Sequence, residues 1–506
     1  MRPRPQPGST WLLSLAFCAL GSQAFAQPAP IKFRRSAGDF PANATGSRVA
    51  FGDFDLDGDP DLLLNGRLLL NDGSGKFTFA PRRAGLHRRV RAAVCADYDR
   101  DGDLDVYLSG GGASPDRLMR NDTTTSGGTT RVLFTDVSAT VGQDLNDTDP
   151  GEGVAWGDVN GDGYPDLYVA NYETSSGSAQ GTMDRLYINR RGRRLVDRSY
   201  EAQSWRVGRG VCLVDFDQDG DVDVHVSNYR LQPNRLWVNG LKDTGAFSLT
   251  DEAQARAVAR AHPLKNGHTI GSTWGDLDGD GDLDLVSANL AHPDWRLWIS
   301  DKSTVHLQGS GLRFRATMAG IKYQEAHSHP TLFDADNDGD LDLYITSTYG
   351  QPGFLYRNMS VETGTFSFRD VTQVAKARTR GGWGSAAADV DGDGDQDLVV
   401  VGAQGRPILL RNRNPRRSGS VRIRLVGTRS ETWGAGATVK LRKQGAPTLV
   451  RQITLGHGTS CQSEPILHFG TGSATGPWRA VVKWPSGSVT RLRVQLGLNT
   501  ISEPTP

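Results

Sequence analysis

The sequence predicts an all-β protein, a seven-bladed β-propeller followed by a small β-sandwich-like C-terminal domain. Three observations predict it. A nine-residue acidic pattern, D-x-[DN]-x-D-G-x-x-D, recurs seven times; each copy runs into a short apolar stretch; and the composition shifts near residue 415, after the last copy. A chain of 506 residues has room for more than one domain. Its 61 glycines and 37% hydrophobic content suit a turn-rich β protein, and 8% aromatic residues suffice for a packed core.

Residues 1–26 read as a secretory signal. Arg2 and Arg4 precede an apolar run from Trp11 to Leu20, and Ala24-Phe25-Ala26 has the small-x-small form of a cleavage site. The run is shorter than the roughly 20 apolar residues that span a bilayer, and no later stretch reaches that length, so no transmembrane segment is expected. Maturation would leave Cys95, Cys212 and Cys461, which is too sparse a set for a disulfide framework and suits buried apolar positions.

Residues 45–415 carry the repeats. The loops start at Asp53, Asp97, Asp158, Asp215, Asp276, Asp334 and Asp389, spaced 44, 61, 57, 61, 58 and 55 residues apart, which is the signature of an array of supersecondary units. Each places oxygen side chains at its first, third, fifth and ninth positions and in most copies at the seventh. Glycine stands sixth, where the chain turns sharply. The candidate ligands are Asp53, Asp55, Asp57, Asp59 and Asp61; Asp97, Asp99, Asp101, Asp103 and Asp105; Asp158, Asn160, Asp162, Tyr164 and Asp166; and Asp215, Asp217, Asp219, Asp221 and Asp223. The later loops add Asp276, Asp278, Asp280, Asp282 and Asp284; Asp334, Asp336, Asp338, Asp340 and Asp342; and Asp389, Asp391, Asp393, Asp395 and Asp397.

Hard oxygen ligands on a tight loop suit Ca²⁺, up to seven ions with one per blade. An EF-hand would need an acid at position twelve, where Leu64, Leu108, Val169, Val226, Ser287, Ile345 and Val400 stand instead. Carboxylates crowded on so short a loop repel one another without a cation. A turn of solvated aspartates explains one such segment as well as a metal site does; seven copies tip the balance to metal.

After each loop comes an apolar strand, then a second apolar stretch that often ends in Asn, as in Leu68-Leu69-Leu70-Asn71 and Leu236-Trp237-Val238-Asn239. A third element with a Phe follows, as in Lys76-Phe77-Thr78-Phe79. Units of this kind, with about four short strands each, fit propeller blades. The seventh unit lacks the Phe element after Asn412. Residues 27–44, with Ile31-Lys32-Phe33-Arg34-Arg35, are expected to supply the strand that closes this last blade.

These loops resemble the FG-GAP/VCBS repeats of integrin α-subunit propellers and of many bacterial secreted proteins. Residues 418–506 carry Gly434-Ala435-Gly436-Ala437, His468-Phe469-Gly470-Thr471-Gly472 and Trp484-Pro485-Ser486-Gly487. They resemble the ASPIC/UnbV domain of the cartilage acidic protein family, although Thr471 stands where that family more often has an apolar residue. The resemblance implies a calcium-loaded extracellular propeller concerned with binding or adhesion. It does not imply an enzyme.

In the repeat family the strand entering the calcium loop lies nearest the axis, so residues ahead of it should crowd the channel mouth. Five positions before the first Asp stand Arg48, Ala92, Gly153, Gly210, Gly271, His329 and Gly384. One position earlier stand Ser47, Arg91, Glu152, Arg209, Ile270, Ser328 and Trp383. With His268, His327, Glu325, Trp205 and Arg380 nearby, a ligand site is expected from Arg91, Glu152, Arg209, His268, His327, His329 and Trp383. A polar loop rim is the plainer expectation for the same residues, and two histidines alone lack a third metal ligand.

No nucleophile elbow, P-loop, zinc-protease helix or Rossmann fingerprint appears in a matching context. The sequence therefore favours a non-enzymatic extracellular binding or adhesion module over a lyase, transferase or oxidoreductase working at the channel mouth in a biosynthetic pathway. Four sequons, at Asn43, Asn121, Asn146 and Asn358, are present.

The 57 basic residues balance 57 acidic ones, which argues against a nucleic-acid binder. Yet 33 of those acids lie in the seven loops. Removal of Arg2 and Arg4 leaves −2, and seven Ca²⁺ would bring the protein to about +12. The expected partner is therefore an anionic extracellular protein, polysaccharide or envelope component, met outside the cell, in the periplasm or at its surface.

Overall fold

A computed structural model describes residues 30–505 apart from 37, 113, 146–147, 176, 261–265, 291–301, 324–325 and 415–418. The signal reading lies outside the described residues. No helix among them is long and apolar enough to cross a membrane.

The apolar stretch after each acidic loop forms a short strand buried on both faces. Seven four-stranded antiparallel sheets result, each with one acidic loop joining its first and second strands. The first strands are Val49–Gly52, Ala92–Ala96, Gly151–Gly157, Gly208–Val214, Thr269–Gly275, His327–Phe333 and Ser385–Ala388. Each touches the first strand of the next sheet, and the last touches the first, so together they line the centre of a β-propeller. In the sheet begun by Ser385–Ala388, the outermost strand is Phe33–Arg34, paired antiparallel with Pro407–Asn412. Ile31 and Phe33 are buried there.

One polar device recurs in every blade. The ninth aspartate of the loop accepts the backbone N–H of the residue after the first aspartate, as Asp223 does from Phe216 at 3.3 Å. Its other oxygen accepts the N–H at the end of the third strand, as from Asn239 at 2.8 Å. The Asn239 side chain then donates to Val222 O in its own loop and to Val159 O in the preceding blade. Asn71, Asn121, Asn189, Asn358 and Asn412 likewise reach back to Val390, Phe54, Tyr98, Leu277 and Ala335. Gln308 fills this place in the fifth blade, reaching Phe216 and Leu283 carbonyls in the amide orientation that pairs donors with acceptors. These bonds satisfy buried backbone groups that no ladder could reach, and they link blade to blade around the ring.

The tail folds as two sheets, one of Ser420–Val426 with Leu467–Gly470 and Gly497–Ser502, the other of Thr438–Arg442, Leu449–Gln452, Trp478–Lys483 and Val489–Val494. It rests on the rim that carries the acidic loops. Apolar residues of the tail, among them Leu455, Phe469 and Trp484, share one core cluster with Val94, Trp156 and Tyr187 of the second and third blades.

From this domain residues 455–462 descend into the channel. Trp156 N–H donates to Leu455 O at 2.8 Å, Val211 N–H to Gly458 O at 2.9 Å, and Phe51 N–H to Gln462 O at 2.9 Å. The Gln462 amide spans both backbone groups of Cys95. The glycines of the first strands make room for it. A Cβ on Gly210 would stand 2.9 Å from Gly458 O, and one on Gly384 would stand 2.6 Å from the Cys461 sulfur. Cys95, Cys212 and Cys461 are all buried free thiols.

Candidate functional site

The acidic loops form one rim. Asp53, Asp55 and Asp57 offer carboxylate oxygens within 4.8 Å of one another, as do Asp97, Asp99 and Asp101, and in three further loops the ninth aspartate joins the set: Asp215, Asp217 and Asp223; Asp276, Asp278 and Asp284; Asp334, Asp336 and Asp342. The turn glycine holds this shape: Gly220 sits at φ 109° and Gly339 at φ 108°, where a side chain is strained. Several carboxylate oxygens are buried with no hydrogen-bond partner, including Oδ1 of Asp53, Asp99, Asp215 and Asp389. Unpartnered buried oxygens of this kind are what a bound cation would satisfy. Burial pushes Asp215 up to about 8 against the nearby Lys483, with Asp217 and Asp219 adding to the rise. Burial likewise takes Asp284 to about 8. The residues present therefore fit Ca²⁺ in donor type and arrangement.

The tail reaches most of these loops. Gly470 N–H donates to Asp334 Oδ2 at 2.9 Å, the Gln452 amide brackets Asp215, Arg422 pairs with Asp389, and Arg451 donates to Gly339 O at 2.9 Å. His468 Nε2 lies 2.7 Å from Asn337 Oδ1. The sequence drew no link between tail and loops. The one signal available was the cationic character of residues outside the loops.

The opposite rim is the channel mouth, where the first strands begin. Here Glu152 is fully enclosed and paired with Arg48, Arg91 and Arg209, the last at 2.8 Å. Burial alone would raise its carboxyl, but the three guanidiniums hold it at about 2. The Arg209 guanidinium lies 4.1 Å from the Tyr172 ring centroid, 5.0 Å from that of Tyr229 and 5.4 Å from that of Trp383. Tyr229 in turn meets His268 edge-on at 4.8 Å. So Arg91, Glu152, Arg209, His268 and Trp383 do come together. Arg48, Tyr172 and Tyr229 complete the group and were not among the expected ligand residues. Ser460 Oγ donates to Glu152 O at 2.8 Å, so the tail loop forms the floor of this mouth.

His327 and His329 lie apart from it. Both are wholly buried, His327 against Ser303 Oγ at 2.7 Å and His329 against Thr459 of the tail loop. Burial lowers both rings, keeping them neutral. Glu325 and Asn146 lie outside the described residues. Of the other sequons, Asn121 and Asn358 are the buried blade-linking side chains, whereas Asn43 is exposed.

Comparison with known proteins adds the following. The family described as ASPIC and UnbV matches residues 427–500. The FG-GAP-like repeat matches residues 97–169, 215–287 and 334–400, and the FG-GAP repeat matches 381–423. Cartilage acidic protein 1 of Homo sapiens is 23% identical over 82% of this chain and 53% of its own length; that of Xenopus tropicalis is 24% identical over 83% and 55%. The chain thus spans about half the length of either relative. Among solved structures, the Dos1 propeller aligns with a TM-score of 0.38 and 10% identity, covering 76% of this chain and 94% of that one.

Proposed function

For a chain that belongs to the FG-GAP repeat proteins ending in an ASPIC and UnbV domain, we propose a secreted, calcium-loaded propeller that acts as an extracellular binding or adhesion module. The observation that carries this reading is the set of acidic loops with mutually facing carboxylates and unpartnered buried oxygens. Bound calcium would supply positive charge that offsets the crowded carboxylates, and the loop side chains at positions one, three, five, seven and nine would hold it through their oxygens. The chain's own residues do the rest. The ninth aspartates and the blade-linking amides fix each loop against its neighbour, and the tail spans the loops and fills the channel. That scaffold presents the mouth rim to a partner, and its similarity to cartilage acidic protein supports an extracellular setting.

Calcium titration by calorimetry, with metal analysis of the purified protein, tests the reading. Up to seven bound ions are expected, and a protein that binds none would overturn it. Mass spectrometry of exported protein should find the mature chain beginning at Gln27.

A further inference from the structure

We propose that the mouth rim, the face opposite the acidic loops, binds an anionic polysaccharide laid across the closed channel. The proposal rests on the extracellular binding reading above and gives its partner a chemical class. Strand order fixes which connections form this face: those from the second to the third strand of a blade, and those from the fourth strand to the next blade. Among the described residues the exposed aromatic rings are Tyr200, Trp205, Tyr323 and Tyr349, at 59%, 57%, 39% and 75% exposure. All four stand on these connections. The loop rim contributes no exposed aromatic ring among the described residues. Gathered on one face, flat aromatic rings offer stacking faces to the C–H faces of pyranose sugars.

The same rim carries cations without partners. Arg88 and Arg89, on the connection from the first blade to the second, and Arg378 and Arg380, on that leading to Trp383, are exposed, and no carboxylate lies within ion-pair reach of them among the described residues. A guanidinium fork matches a carboxylate or sulfate group in geometry and charge. Of the acids at this mouth, Glu152 is neutralised by three arginines and Glu173 by Arg230 at 2.7 Å. Because Ser460 closes the floor, a ligand must lie over the mouth, which suits an extended chain.

Single-stranded nucleic acid also combines rings with charge, but it carries a phosphate at every residue and needs cations along its whole path. Here Arg209 and Arg230, beside Tyr172 and Tyr229, are held by Glu152 and Glu173. Exposed arginines without an ion pair among the described residues, such as Arg35, Arg88, Arg89, Arg378, Arg380 and Arg406, are spread over several connections of this face, as suits a polymer with sparser charge.

The test measures binding of the full mature chain, in calcium buffer, to immobilised hyaluronan, to uncharged dextran and to an oligo-dT strand. Expected are binding to hyaluronan that weakens with salt, none to dextran, and oligo-dT binding weaker by about tenfold or more. The double variant Arg88→Ser/Arg89→Ser should bind hyaluronan about tenfold more weakly with a shallower salt dependence. Tyr349→Ala with Trp205→Ala should lose about fivefold with the salt dependence unchanged. No hyaluronan binding, equal binding to dextran or to oligo-dT, or variants that bind like the parent would overturn the proposal. Calcium titration of the same samples separates the two readings. Intact calcium binding without hyaluronan binding removes only the polysaccharide, while absent calcium binding removes the broader reading as well.

Discussion

At one rim of the ring, seven carboxylate loops lie beneath a small domain that brings Arg422, Arg451 and Lys483 to them. At the other rim, one carboxylate, Glu152, is surrounded by Arg48, Arg91 and Arg209. The first rim has far more acids than bases and leaves buried oxygens unpartnered. The second is neutralised by the chain's own residues and has arginines to spare. The difference makes one rim the place to test for cation dependence and the other the place to test for ligand binding.

Chelation strikes the loop rim alone and should have the largest effect. One site at a hundredfold excess over its Kd contributes about 2.7 kcal/mol, so emptying several sites is expected to lower Tm by more than about 10 °C. The tail should then become separable from the ring by limited proteolysis. A chelated protein that melts with the untreated one would remove the asymmetry between the rims.

Deleting residues 27–40 removes the outermost strand of the seventh blade. It strips Ile31 and Phe33 from the core at about 1.5–3 kcal/mol each. Unchanged melting would show that ring closure does not use this strand. At the mouth, Glu152→Gln leaves the buried Arg48 without its counter-charge, at a cost of about 3–5 kcal/mol. Calcium affinity should be unaltered, and a large change in it would mean that the rims are coupled. Asn239→Ala, which leaves Val159 O and Val222 O unpaired, should cost about 1–3 kcal/mol, as read by denaturant unfolding.

The smallest effect is in pH. Glu152, held at about 2, ionises more readily in the fold than its ordinary value of 4.5 allows. Its stabilisation is complete above 4.5 and is lost as pH falls toward 2. The melting offset between the parent and Glu152→Gln should therefore be constant from pH 5 to 8 and shrink below about pH 4. An offset that grows on acidification would contradict the pairing.

The loops were legible because their pattern is local: nine residues specify the turn and its oxygens. The strands were legible from the short apolar runs that follow the loops, and the meeting of Arg91, Glu152, Arg209 and Trp383 from their common position ahead of each loop. What lay hidden depends on distant partners. Asn239 is visible at a strand end, but the carbonyl it needs, at Val159, lies 80 residues back in another blade. Gln308 breaks the Asn pattern while doing its work. The glycines at 210, 271 and 384 were visible without their cause, because the chain that approaches them belongs to residues 458–461, while Gly153 makes room for the backbone of Gly210 in the next blade. Asn121 and Asn358 satisfy a local glycosylation pattern and are consumed by packing that the pattern does not see.

The segment that fills the channel also sets a clock. Cys95 and Gln462, joined by two hydrogen bonds, are separated by 367 positions along the chain, and Phe33 meets Asn412 near the other extreme. Contacts of such span are slow to form because the intervening loop must first be closed. Individual blades can collapse as they are made, but the ring gains its axle only after the last domain exists. Until then the glycine-lined first strands surround a hole that no earlier residue can occupy, so a chain cut short before residue 455 would hold seven blades around a missing hub.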